Sequence, residues 1–191
     1  MRYGDTDLGL TAMTSAEDTA KIMYRRATHA DLPALDALMT FSFSELGAGF
    51  YSLSEIETAL IQLAKIDPVL LRDKTLFVAE LGERIVGCGG WSNQTGLVEA
   101  YGNSSCDPNS RKAAIRSFFV APDMARRGIA TALFCLCVAD AKKVGCKKLE
   151  VLAAASSKAL FEKLGFTHPV EETLQFGDGV ALLSYRMEQN L

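Results

Sequence analysis

A mixed α/β domain built around one central sheet is the fold class that the sequence predicts. Three observations carry that expectation. Runs rich in β-branched and aromatic residues alternate with segments of helical periodicity, in the order β-α-α-β-β-β-α-β-α-β-β. Two pairs of those runs flank short turn-forming stretches, as hairpins do. The 191 residues are 49% apolar and 23% charged, a globular mixture long enough to bury one substantial core.

Taken in order, "KIMYRRAT" reads as a first strand. Thr28 and Asp31 then have the spacing of a capping box, and Pro33 falls in the first turn, which together start a helix. That helix, "DLPALDALMTFSF", is expected to run out at the glycines of "ELGAGF". A second begins near Ser52 or Ser54 and carries Ile56, Leu60 and Leu63 on one face. It ends before Asp67-Pro68, because a residue preceding proline is pushed out of helical conformation. "TLFVAELGERIVGCGGWSN" is a hairpin turning at "LGER". Next comes "QTGLVEAYGNSSCDPNSRKA", polar, rich in turn formers and too long for a neutral connection in a compact domain. "AIRSFFV" is a strand, "GIATALFCLCVADAKKVG" a helix closed by Gly145, and "KKLEVLAA" another strand. "SSKALFEKLG" is a short helix capped by Ser156 or Ser157 and ended by Gly165. "ETLQF" and "VALLSYRME" around "GDG" make a final hairpin.

Residues 1–20, polar and acidic, are expected to be a flexible extension ahead of a single domain over 21–191. They carry neither a basic n-region nor an apolar h-region, so no signal peptide is expected and the protein is assigned to the cytoplasm. No apolar run approaches the ~18 residues of a membrane span, so no membrane partner is expected. Cys88, Cys106, Cys135, Cys137 and Cys146 form no CxxC pair and have no histidine at ligand spacing. Free thiols in a reducing compartment, with no metal, are the expectation.

Charge is distributed unevenly. From Arg111 to Lys148, nine basic residues stand against only Asp123 and Asp140, in a protein of net charge −3. Such a segment is either a solvated basic surface or a site for a polyanion. Nucleic acid is not the expected partner, since the chain is acidic overall and has no groove-reading motif.

Within that segment, "FFVAPDMARRGIATAL" runs from a β-rich strand through Pro122 into an apolar helical pattern. Gly128 sits where the backbone turns, where glycine allows unusual φ/ψ and the close approach of a ligand. The first amides of a helix have no intrahelical partner and lie at the positive end of its dipole. Together they make an anion cradle, to which Arg126 and Arg127 add permanent charge. GxxxxGK(S/T) and GxGxxG are both absent, which argues against a nucleotide-hydrolysing loop and a dinucleotide fold.

"A-R-R-G-I-A", Ala125 to Ala130, preceded by "V-x-P-D" from Val120, resembles the signature of the GNAT superfamily of N-acetyltransferases. That signature is a bulged strand followed by (Q/R)-x-x-G-x-(G/A) at the start of a helix. Gly128 and Ala130 match it, and Ala125 departs from it. "RIVGCGGW", "LFEKLGF" and the order of elements extend the resemblance over residues 22–189. It implies a GNAT-like fold: a mostly antiparallel sheet of six or seven strands, splayed between strands 4 and 5 and flanked by about four helices.

The resemblance further implies acetyl transfer from acetyl-CoA to a primary amine, small-molecule or peptide, by direct attack on the thioester. Backbone groups of Phe118, Phe119 and Val120 would then lie along the pantetheine arm, and amides of Arg126, Arg127, Gly128, Ile129, Ala130 and Thr131 would take the pyrophosphate. Ser156 is placed against the pantetheine, since the family's usual asparagine falls at Ala154. The family's tyrosine acid falls at Phe161. Three possibilities follow: proton delivery by water, a substitute hydroxyl such as Tyr185 or Tyr101, or a module that binds acyl-CoA without transferring. For the base the candidates are Glu99, in the long loop, and Glu45, between the first two helices. The apolar "VALLSY" of the final hairpin would suit a homodimer.

Overall fold

The computed structural model describes residues 21–93, 111–176 and 179–191. The expected extension at 1–20, most of the long polar segment with Glu99, Tyr101 and Cys106, and part of the "GDG" turn lie outside the described residues.

Among the described residues seven strands form one sheet in the order β1-β2-β3-β4-β5-β7-β6. β1 (Met23–Arg26), β2 (Leu76–Leu81), β3 (Arg84–Ser92) and β4 (Lys112–Val120) make the first half. β5 (Lys148–Ala154), β6 (Thr167–Gln175) and β7 (Ala181–Asn190) make the second. Neighbours are antiparallel except β4 and β5. Among the described residues five α-helices accompany the sheet: α1 (Leu32–Gly47), α2 (Leu53–Gln62), α3 (Pro68–Arg72), α4 (Ile129–Lys143) and α5 (Lys158–Lys163).

Entry into α1 follows the expected capping box. Thr28 N–H and Oγ1–H both donate to Asp31 Oδ2, at 2.7 and 3.0 Å. Arg25 from β1 grips the same carboxylate with two bonds of 2.8 and 2.7 Å, so strand and helix share one anchor. That guanidinium, more than any other neighbour, holds the Asp31 carboxyl down at about 2. α2 begins at Ser52, whose amide donates to Glu55 Oε2 at 2.7 Å in a second capping box.

α3 is a helix that the expected order of elements does not contain. α2 has already ended at Gln62, and Asp67-Pro68 starts a new helix: Pro68 occupies the first turn and Asp67 Oδ1 accepts from Val69 N–H at 2.9 Å. Ser157 also departs from expectation. Its hydroxyl donates back to Ala154 O at 3.0 Å, and no serine side chain caps α5.

Glycines in β3 let the layers approach. A Cβ on Gly87 would stand 2.8 Å from Ile129 Cγ2, so Gly87 allows α4 down onto the sheet. The main core gathers there: Val86, Cys88, Ile129, Leu133, Leu149 and Met187 are almost wholly buried. A second, smaller cluster of Tyr51, Ile56, Ala59 and Leu182 joins α1 and α2 to β7.

Candidate active site

β4 and β5 start side by side and then part. Their parallel pairing runs from Lys112 opposite Lys148 to Ile115 opposite Val151 and stops there. β4 continues against β3 as far as Val120, and β5 against β7 as far as Ala154. The cause lies within β4. Ser117 takes a φ of 53°, and the register with β3 slips between Cys88 and Gly90. Such a bulge bends the strand and increases its twist, here away from β5. The Cys88 thiol donates to Ser117 O at 3.2 Å within the bulge. Burial pushes that thiol up to about 12, so it stays protonated and is no nucleophile.

A cleft of about 1080 Å³ opens from the gap. Phe118, Phe119 and Val120 line it from β4, and Leu152, Ala154 and Ser156 from β5 and the turn that follows. Arg126, Gly128, Ile129, Ala130 and Thr131 line it from the start of α4. Arg127 stands exposed outside this lining.

The chain reaches α4 through two left-handed residues, Arg126 at φ 64° and Gly128 at φ 79°. A Cβ on Gly128 would meet nothing within 4 Å. Conformation, not crowding, therefore calls for glycine at this position. The first bond of the helix runs from Ala132 N–H to Gly128 O at 3.0 Å. The amides of Ile129, Ala130 and Thr131 precede it and have no helical carbonyl behind them. A row of N–H groups at the positive end of a 15-residue helix thus faces the cleft.

Phe161 sits in the cleft wall as packed core. It is 2% exposed and meets Phe118 and Phe166 edge-on, with ring centroids at 6.0 and 5.4 Å. Phe118 is seated in turn over Gly89, where a Cβ would fall 2.6 Å from its ring. The wall at this point is aromatic and offers no hydroxyl. Tyr185 is not among the residues that line the cleft, and the Lys158 ammonium lies over its ring at 4.5 Å. Its neighbours Leu182 and Ser184 line the cleft instead. Glu45 belongs to the last turn of α1, not to a loop, and points into solvent.

Sequence reasoning missed the specific role of Tyr51. Its hydroxyl donates to Leu183 O at 2.8 Å and accepts from Ala155 N–H at 2.7 Å, binding the α1–α2 connection to β7 and to the end of β5. Its ring stacks on Phe43 at 5.7 Å and 14°. Burial pushes the Tyr51 phenol up, so it keeps its proton. Arg116 and Asp67, paired at 2.6 Å, also line the cleft. Residues more than 100 positions apart meet here, and no local pattern announces such a contact. The aromatic run "FSELGAGFYS" was the available signal, and it marks a pocket without saying what the hydroxyl does.

A splayed parallel pair beside an open helix N-terminus is a family architecture as well as a local geometry. The sequence profile of the Acetyltransferase (GNAT) family matches residues 37–166. The chain belongs to that family. Solved GNAT-type structures share its fold. PaiA N-acetyltransferase from Thermoplasma acidophilum, in complex with coenzyme A, aligns at 16% identity over 90% of this chain and 99% of its own, with a TM-score of 0.63. A GCN5-related N-acetyltransferase from Rhodopseudomonas palustris aligns at 20% identity over 88% and 95%, with a TM-score of 0.67. A ribosomal-protein-alanine N-acetyltransferase from Brucella melitensis gives 22%, 88%, 99% and 0.59 in the same order. No curated protein sequence matches the chain.

As a GNAT domain, the chain keeps the family's main-chain features and departs at side chains. The bulge, the splay and the glycine at α4 are present, while the tyrosine position is filled by Phe161. Among the described residues no cluster of His, Cys, Asp and Glu could hold a metal, and no helix is long and apolar enough to cross a membrane.

Proposed function

We propose that the protein transfers an acetyl group from acetyl-CoA to a primary amine by direct attack, with no covalent enzyme intermediate. The observation that carries this reading is the gap between β4 and β5, opening beside the unpaired amides of α4. The gap suits an extended pantetheine arm and the amides suit a pyrophosphate. Amides of Arg126 and of Gly128 to Thr131 would hold the phosphates, the free edge at Phe118, Phe119 and Val120 would take the arm, and Ser156 would add a hydroxyl contact.

When bound, acetyl-CoA supplies the thioester: the amine nitrogen forms the C–N bond, the C–S bond breaks, the sulfur leaves as thiolate and gains a proton, and the amine loses one. A main-chain N–H on the β4 edge would polarise the acyl oxygen, a task worth about 10²–10³ in rate at oxyanion sites elsewhere. The described cleft presents no hydroxyl at the family's acid position, and the Tyr51 proton is held by Leu183 O. Water or a hydroxyl away from that position then supplies the proton to the thiolate, a tolerable leaving group with a thiol pKa of ~8.5 on the cysteine scale.

Phe161, locked between two rings, favours a second reading, a module that binds acyl-CoA and does not transfer. Two measurements separate them. Thermal unfolding with acetyl-CoA, CoA, ATP and NAD in parallel tests the cradle: a shift with the coenzyme A species alone supports it, and a larger shift with ATP or NAD sinks it. Release of free CoA thiol from acetyl-CoA in the presence of amines then tests transfer. Faster release by Phe161→Tyr marks a reaction short of a proton donor. Binding without release, in both forms and across amines, would leave only the module.

A further inference from the structure

Away from α4 the cleft changes character. Phe43, Leu46, Phe50, Tyr51, Leu63 and Leu182 make its walls there. The rings of Phe43 and Tyr51 stack nearly parallel on each other in this wall. Phe50 is 59% exposed and Leu46 41%, so apolar surface is left at the rim, not consumed by the core. Among the described lining residues the only carboxylate is Asp67, and Arg116 already engages it at 2.6 Å. The other charged lining residues, Lys65, Arg126 and Lys163, are cations.

From this we infer that the acceptor is a monoamine carried on an aromatic or branched apolar body, and that polyamines are poor acceptors. The inference rests on the acetyltransferase reading of the cleft and names the acceptor class of that same site. An apolar body gains by leaving water against the wall of Phe43, Leu46 and Phe50. A second ammonium would lose hydration and meet cations with no free carboxylate among the described residues, an uncompensated cost. The same walls bear on reactivity. An amine drawn out of water on an apolar body is pushed toward its neutral form, which exposes the lone pair that attacks the thioester. Desolvation thus does part of the work that a carboxylate base does elsewhere.

The test uses the full chain and acetyl-CoA, with thiol release read for phenethylamine, isoamylamine and spermidine. Phenethylamine should exceed spermidine by about 10-fold or more in kcat/KM, the scale on which apolar pockets discriminate. Leu46→Glu, at an exposed rim position that tolerates charge, should narrow that ratio by favouring spermidine. Thermal unfolding with acetyl-CoA alone runs alongside. If acetyl-CoA stabilises the protein but spermidine matches or beats phenethylamine, or none of the three amines is turned over, the acceptor inference is overturned while the cofactor site stands. If acetyl-CoA gives no shift, the acetyltransferase reading fails and this inference goes with it.

Discussion

One side of the cleft is made of main chain and the other of side chains. At α4 the wall is a row of amides set by two left-handed residues, and the identities of the flanking side chains hardly enter. Around Tyr51 the wall is rings and aliphatic chains from α1, the α1–α2 connection and β7, held by one hydroxyl bonded in two directions. The first construction needs a glycine and a helix, so it survives extensive sequence change. The second depends on side chains that are far apart in sequence. A site of the first kind tolerates side-chain change, and one of the second kind does not.

The comparison can be broken most directly at Gly128. Gly128→Glu places a side chain at φ 79° and a negative charge among amides that would take phosphate. A ligand at ~100 times its Kd stabilises by about 2.7 kcal/mol, worth several degrees at ~2–4 °C per kcal/mol. In the variant the acetyl-CoA shift should vanish, and thermal unfolding reads it. An undiminished shift would mean that the cofactor binds elsewhere.

Gly89→Ala strikes the aromatic wall between the two regions. The new methyl falls 2.6 Å from the Phe118 ring, which Phe161 holds from the other side. Overpacking of this sort costs about 1–3 kcal/mol, and the lower midpoint should appear in denaturant unfolding.

On the acceptor side, Tyr51→Phe keeps the ring and removes its hydroxyl. Ala155 N–H and Leu183 O then lose their partner, at a cost of about 1–3 kcal/mol. The acetyl-CoA shift should be unchanged while KM for the amine rises, and steady-state kinetics with varied amine measures this. Loss of both together would show that the two regions are not independent.

The smallest effect concerns the anchor of α1. The folded Asp31 carboxyl, at about 2, lies below its unfolded value near ~3.9. Folding therefore gains stability from Asp31 above pH ~4, and loses it as pH falls from ~4 toward ~2. Because Arg25 is more than a third exposed, screening limits the gain to about 1 kcal/mol. Asp31→Asn should flatten the stability profile in that acid window, measured by urea unfolding at successive pH values.

What could be read in the chain beforehand follows the same division. The helix starts at Thr28 and Ser52, the hairpin at "LGER" and the strand–helix turn at Gly128 depend on a few adjacent residues, and each stands in the structure. α3 was hidden because Asp-Pro reads equally as the end of a helix and as the cap and first turn of a new one, and here it is the second. Strand alternation, which single residues do not announce, turns Leu182 and Ser184 to the cleft and puts the Tyr185 ring under Lys158.

The sequence by itself determined the order of elements, the left-handed glycine and the positive helix terminus, because these are properties of local backbone and of a dipole. Only the tertiary structure decided where β4 leaves β5, how Phe161 is locked between Phe118 and Phe166, and that Tyr51 bonds to Leu183 and Ala155. Those outcomes depend on which distant side chains share a space, and sheet register and core packing set that globally.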